Sequence, residues 1–122
     1  MVVGKITSFE NLVVWQESLA LAVSVYRTTN SLPKSEIYGL TSQLRRAASS
    51  VSANIAEGFG RETNKDKLHF YTIAYGSLLE VKNFLYLSEQ LEYITKKDLD
   101  VLFTQITSCQ KLINASKRSL KS

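Results

Sequence analysis

One cysteine, Cys109, leaves a chain of 122 residues without an internal disulfide, which excludes a disulfide-stapled secreted scaffold. One proline and five glycines supply too little turn material for an all-β sandwich. A single histidine, His69, and that lone cysteine cannot furnish the four ligands of a Cys/His zinc site, or three plus a water. A di-iron bundle needs two Glu-x-x-His pairs, so it is excluded on the same ground, and no cofactor is expected. No apolar run approaches the roughly 18–20 residues that span a bilayer. The first six residues lack the apolar stretch of a signal peptide, so a cytoplasmic protein with no membrane contact is expected. Fifteen Lys and Arg against eleven Asp and Glu give +4, an excess too mild for a polybasic tail.

What the sequence has is apolar residues in helical rhythm. The apolar share of 44% is ordinary for a globular chain, and the length fits one domain over residues 1–122. Breaks fall at Ser31-Leu32-Pro33-Lys34, at Gly58-Phe59-Gly60-Arg61, and at Tyr93-Ile94-Thr95. Proline denies a helix its N–H, Gly58 is placed to end a helix in a left-handed conformation, and Thr95 with Asp98 reads as an N-cap. Four segments remain, near 11–31, 35–57, 63–92 and 96–119, each far longer than a strand. One stripe per segment is expected to face the core: Leu12, Trp15, Leu19, Ala22, Val23 and Tyr26; then Leu40, Leu44, Ala47, Val51 and Ile55; then Tyr71, Ala74, Leu78, Val81 and Leu85; then Leu99, Leu102, Ile106, Cys109 and Ile113. Short connections make this an all-α, antiparallel, up-down-up-down four-helix bundle.

The first and third segments carry more apolar surface than a monomer needs. At about 100° per residue, Val14, Leu21 and Val25 project opposite Leu12, Leu19 and Val23. In the third segment Ile73, Phe84, Leu87 and Leu91 form a second stripe. The second segment bears a strip of small residues, Ser42, Ser49, Ala53 and Ala56, away from its core side. Scattered exposed apolar residues are normal on monomers. The regularity here favours a homo-oligomer interface built from Val14, Leu21, Val25, Ile73, Phe84 and Leu87, without fixing the number of subunits.

Catalytic chemistry is hard to assemble. Cys109 falls on an apolar stripe and reads as a reduced core thiol. His69 falls on the polar side of its helix and reads as solvated, with no Ser-His-Asp set around it. The Gly58-Phe59-Gly60-Arg61 turn offers N–H groups to an anion, yet lacks the Lys-Ser/Thr of a nucleotide-binding loop, so a structural turn is the better reading. Asn54 and Glu57 are expected to satisfy backbone groups of the following turn. No enzyme is expected.

Basic residues are the remaining lead. Lys97, Lys111 and Arg118 recur at multiples of seven with Thr104 between them, a stripe of about 30 Å along the last helix. No acid occurs from Val101 to Ser122, where Lys111, Lys117, Arg118 and Lys121 accumulate. Arg61, Lys65 and Lys67 form a second group, and Arg45 and Arg46 lie off the core side of the second helix. Phosphate backbones favour such surfaces, but cations near a helix C-terminus also complement its dipole. Both readings stay open for the last helix.

Three runs carry a resemblance: Phe9-Glu10-Asn11-Leu12-Val13-Val14-Trp15-Gln16, Ile37-Tyr38-Gly39-Leu40-Thr41-Ser42-Gln43-Leu44-Arg45-Arg46-Ala47-Ala48, and Ser52-Ala53-Asn54-Ile55-Ala56-Glu57-Gly58-Phe59-Gly60-Arg61. With Gly76-Ser77-Leu78-Leu79-Glu80 they resemble the four-helix-bundle family of bacterial 23S ribosomal RNA intervening-sequence proteins, over nearly the whole chain. Asn11 stands where an acid is common. The resemblance implies a four-helix bundle, a ring-like homopentamer and no catalytic motif. It also implies kinship with the accessory variability protein of diversity-generating retroelements, a basic pentamer that binds nucleic acid and a reverse transcriptase. The expected function is a non-enzymatic oligomer binding RNA or DNA through Arg45, Arg46, Arg61, Lys65, Lys67, Lys97, Lys111, Lys117 and Arg118. The alternative is a scaffold that docks a protein partner such as a reverse transcriptase.

Overall fold

The computed structural model describes residues 7–121; residues 1–6, read above for a leader, and residue 122 lie outside it. A short 3₁₀ turn at Phe9–Asn11 leads into α1, Val13–Thr29. A second 3₁₀ turn, Lys34–Glu36, precedes α2, Leu40–Phe59. Then follow α3, Asn64–Gln90, and α4, Lys96–Lys121, with no strand among the described residues. Helix α2 packs against α1 and α3, and α4 closes the square against both; the diagonal pairs make no close backbone contact.

Neighbouring helices run antiparallel, as their contacts show. Ser50 of α2 bonds Ser77 of α3, and Gly58 further along α2 meets Tyr71 earlier in α3. Lys117 lies over the Tyr75 ring while Phe103 meets Tyr86, which orders α3 against α4. Arg45 at the start of α2 bonds Thr29 at the end of α1. Arg27 and Thr28 near that same end share a groove with Lys97 and Asp98 at the start of α4.

The helix ends differ from expectation in two places, each for a local reason. Helix α2 starts at Leu40 rather than near 35, because Pro33 opens a 3₁₀ turn. Its cap is not the preceding residue but the Glu36 carboxylate, which accepts from the Leu40 N–H at 3.2 Å. A Cβ on Gly39 would lie 2.6 Å from that same oxygen, so glycine makes room for the cap. Tyr93, from the α3–α4 connection, donates its hydroxyl to the other Glu36 oxygen at 3.1 Å. That bond to the carboxylate pushes the Tyr93 hydroxyl pKa up, with burial adding to it.

Gly58 does not end α2. It is buried inside the helix, and a Cβ there would stand 2.7 Å from the Tyr71 ring. The left-handed residue is instead Glu92, with φ 64. There the Tyr93 N–H donates to the Ser88 carbonyl and the Glu92 N–H to the Glu89 carbonyl, both at 2.9 Å, closing α3 with a Schellman turn. At the start of α4, Asp98 N–H donates to Thr95 Oγ1 at 3.1 Å and Thr95 N–H to Asp98 Oδ2 at 3.5 Å. That reciprocal cap is the one the sequence announces.

The expected stripes of α2, α3 and α4 are all buried. Cys109 is among them, and burial pushes its thiol pKa up despite the Ser18 hydroxyl beside it. Helix α1 keeps its expected stripe only at Ala22, which is buried, and at Leu12 and Trp15, which pack against the core, and is inverted elsewhere. Val14, Leu21 and Val25 are core residues, at 6%, 0% and 0% exposure, and so cannot form a subunit interface. Leu19, Val23 and Tyr26, expected inside, are exposed. The buried face also holds Ser18 and Thr29, whose hydroxyls donate to the carbonyls of Val14 and Val25 at 2.7 and 2.8 Å. A hydroxyl bonded to its own helix enters the core without an unmade bond. On α3, Ile73, Leu87 and Leu91 lie on the surface as expected, while Phe84 is half-buried and packs against the core.

Candidate nucleic-acid interface

The bundle sorts the candidate cations into two ends joined by one helix. Arg45 and Lys97 stand at the end holding the α1–α2 and α3–α4 connections. Arg61, Lys65, Lys67, Lys117 and Arg118 stand at the other, where Asn64 Nδ2 reaches the Leu120 carbonyl at 3.5 Å. Helix α4 bridges the two ends: Lys97, Thr104, Lys111 and Arg118 are all exposed along it. Asp100 is the last acid in α4, and it is paired with Lys96 at 3.1 Å.

Several cations are engaged within the fold. Lys67 donates its Nζ to the Phe59 carbonyl at 2.6 Å, closing the C-terminal end of α2. Arg61 pairs with Glu57 and lies over the Phe70 ring, 4.5 Å from its centroid. Lys117 is half-buried above Tyr75. Arg45 does for α1 what Lys67 does for α2. Its Nε donates to Thr29 Oγ1 at 3.0 Å, one terminal nitrogen reaches the Tyr26 carbonyl and Asn30 Oδ1, and the guanidinium stacks 4.8 Å from the Tyr26 ring. Arg46, Lys65, Lys97, Lys111 and Arg118 are exposed and hold no ion pair among the described residues. Among the nine sequence candidates, these five have no partner within the described fold.

The other sequence candidates resolve as structural. Asn54 donates backward, to the Ser50 carbonyl and hydroxyl at 2.8 and 3.0 Å, rather than to the following turn. Glu57 is taken by Arg61. His69 is exposed. The described residues hold no group of three His, Cys, Asp or Glu able to bind a metal ion, and no helix among them is long and apolar enough to cross a membrane.

The sequence reading named Arg45 and Arg46 but missed Arg27, Lys34 and the scarcity of acids around them. Between Glu17 and Glu57 the only acid is Glu36, against Arg27, Lys34, Arg45 and Arg46. The fold turns the Glu36 carboxylate onto the Leu40 N–H and the Tyr93 hydroxyl, and its single charge is outnumbered by the four cations of that stretch. Counting acids as well as bases along the chain would have found it.

The sequence profile of the family described as 23S rRNA-intervening sequence protein matches residues 10–115. Among solved structures, the fold is similar to a protein of unknown function from the S23 ribosomal protein family of Bacteroides thetaiotaomicron. The two share 25% identity and a TM-score of 0.77, over 86% of this chain and 98% of that one. No curated protein matches the chain.

Proposed function

This chain belongs to the 23S rRNA-intervening sequence protein family, and from that premise we propose a non-enzymatic, self-associating cytoplasmic module that binds RNA or DNA through its basic surface. The observation that carries the reading is the α4 stripe. Lys97, Lys111 and Arg118 project from one rigid helix over about 30 Å, with no acid beyond Asp100 to neutralise them. Cations at such spacing displace counterions from a phosphate backbone and give affinity without base readout. Self-association, which would multiply that field, is supported by Leu19, Val23, Ile73, Leu87 and Leu91, each 39% exposed or more on the outer faces of α1 and α3.

The test is binding of a structured RNA across a salt series, comparing the natural chain with the double variant Lys111→Glu/Arg118→Glu. Removing two phosphate contacts should lower affinity throughout and flatten the log–log salt slope by about 1.5–2 per subunit. RNA binding that survives the double reversal unchanged defeats this assignment. The uncovered apolar faces favour one further reading, a scaffold docking a protein such as a reverse transcriptase. It predicts partner binding insensitive to the two reversals and little affinity for free RNA.

A further inference from the structure

The most exposed large hydrophobic side chain among the described residues is Tyr38, at 96%, and nothing in the α4 stripe accounts for it. Its ring has no ring, cation or hydrogen-bond partner among the described residues. The segment beneath it is nonetheless tightly held. Pro33 fixes the entry, Lys34–Glu36 winds as a 3₁₀ turn, and Glu36 is clamped between the Leu40 N–H and the Tyr93 hydroxyl. A bulky aromatic is thus presented to water from a fixed platform, so little ordering entropy opposes its use.

Its chain neighbour Ile37 lines two shallow hollows of 370 and 450 Å³, and Thr41 and Arg45 line both with it. Lys34 lines one and Arg46 the other, and no acid lines either. Arg45 is already oriented by Thr29, Asn30 and the Tyr26 ring, and its second terminal nitrogen makes no bond among the described residues. A guanidinium held this way gives up little freedom on meeting a phosphate oxygen.

We propose that Tyr38 stacks an unpaired base of a single-stranded nucleic acid whose phosphates lie in the two hollows that Ile37 and Arg45 line. An apolar protein partner fits less well, because both hollows carry cations and hydroxyls and their one nearby carboxylate is turned inward. A duplex fits less well, because its bases are stacked on one another and leave no face for the ring. The inference rests on the nucleic-acid reading above and adds to it the strandedness of the ligand and a site remote from Lys111 and Arg118.

The experiment measures fluorescence anisotropy of a labelled oligouridine, and of duplex RNA of the same length, with the intact protein and its Tyr38→Ala and Tyr38→Phe variants. Loss of one stacked base should weaken oligouridine binding by Tyr38→Ala roughly ten- to hundredfold, while Tyr38→Phe binds like the natural chain. Duplex affinity and the mass by light scattering should not change. The proposal is overturned if Tyr38→Ala binds oligouridine normally, or loses duplex and single strand equally. It is also overturned if that variant changes the assembly mass, for Tyr38 is then a subunit contact. Binding that falls with the Lys111/Arg118 reversal but ignores Tyr38 removes only this inference; no RNA binding by the natural chain removes both.

Discussion

Helices α2 and α4 each carry one dominant apolar face, and that face is the core. Helices α1 and α3 each carry two, and only one of each is buried. On α3 the two stripes are unequal: Tyr71, Ala74, Leu78, Val81 and Leu85 form an unbroken row, and the row is inside. On α1 they are nearly matched, Leu19, Val23 and Tyr26 against Val14, Leu21 and Val25. The buried stripe of α1 is the one interrupted by hydroxyls, Ser18 and Thr29. The contrast teaches that polarity marks the outside of a helix only where the polar group needs water. Serine and threonine, bonded to the carbonyl four residues back, do not need it.

The widest separation between the two stripes of α1 should appear on truncation. Leu21 is fully buried, so Leu21→Ala should cost about 2–5 kcal/mol. Leu19 is 41% exposed, and Leu19→Ala should cost well under half as much. Urea unfolding of the two variants checks the ranking: a larger loss for Leu19→Ala would mean the other stripe is inside, and equal losses would mean both stripes are covered.

Most of the fold was legible because three of the four core stripes are chemically unambiguous and Thr95 and Asp98 announce the start of α4. The α1 inversion was not legible, since spacing alone gives both stripes the same period. The end of α3 falls within two residues of its expected place, but the turn that makes it was not legible, because Glu92 is an L-residue in a conformation that usually signals itself by glycine. The candidate interface was half legible. The α4 stripe is visible as a charge pattern on one continuous helix. That Arg45, Arg61 and Lys67 are engaged within the fold depends on partners from other elements, Thr29, Phe70 and Phe59, which helical spacing does not bring together, and Arg45 keeps one terminal nitrogen without a bond among the described residues. Tyr38 stands in the sequence only as part of a motif, and the turn before it is held by a tyrosine 55 positions further along, through the Tyr93 bond to Glu36.

Two glycines place the same comparison at the backbone. Gly58 faces inward, and an added Cβ would meet Tyr71 Cε1 at 2.7 Å and Phe70 Cβ at 3.0 Å. Gly58→Ala should therefore destabilise by about 1–3 kcal/mol, despite alanine's better helix propensity. Gly76 lies on the outer face of α3 with nothing within 4 Å of an added Cβ. Gly76→Ala should stabilise by about 1 kcal/mol, the ordinary helix gain. Thermal melts of both variants give opposite signs if inner and outer faces are assigned correctly. A loss at Gly76 would place another backbone against that helix in the native assembly.

The smallest effect on the fold should come from polar substitutions on the outer stripes, and it is the one that bears on function. Val23 and Leu87 are 42% and 45% exposed, and neither has a hydrogen bond to lose through its side chain. Val23→Gln and Leu87→Gln should each change the unfolding free energy by no more than about 0.5 kcal/mol at concentrations where the chain is a monomer. If the outer stripes are where copies meet, the same changes should lower the mass seen by light scattering over a dilution series, because each puts an unpaired polar group into an apolar contact. Stability and assembly then separate: the inner stripe governs the first and the outer stripe the second. A mass unchanged by both substitutions would leave the outer stripes as plain solvent-facing surface, and the basic surface of each subunit would act alone.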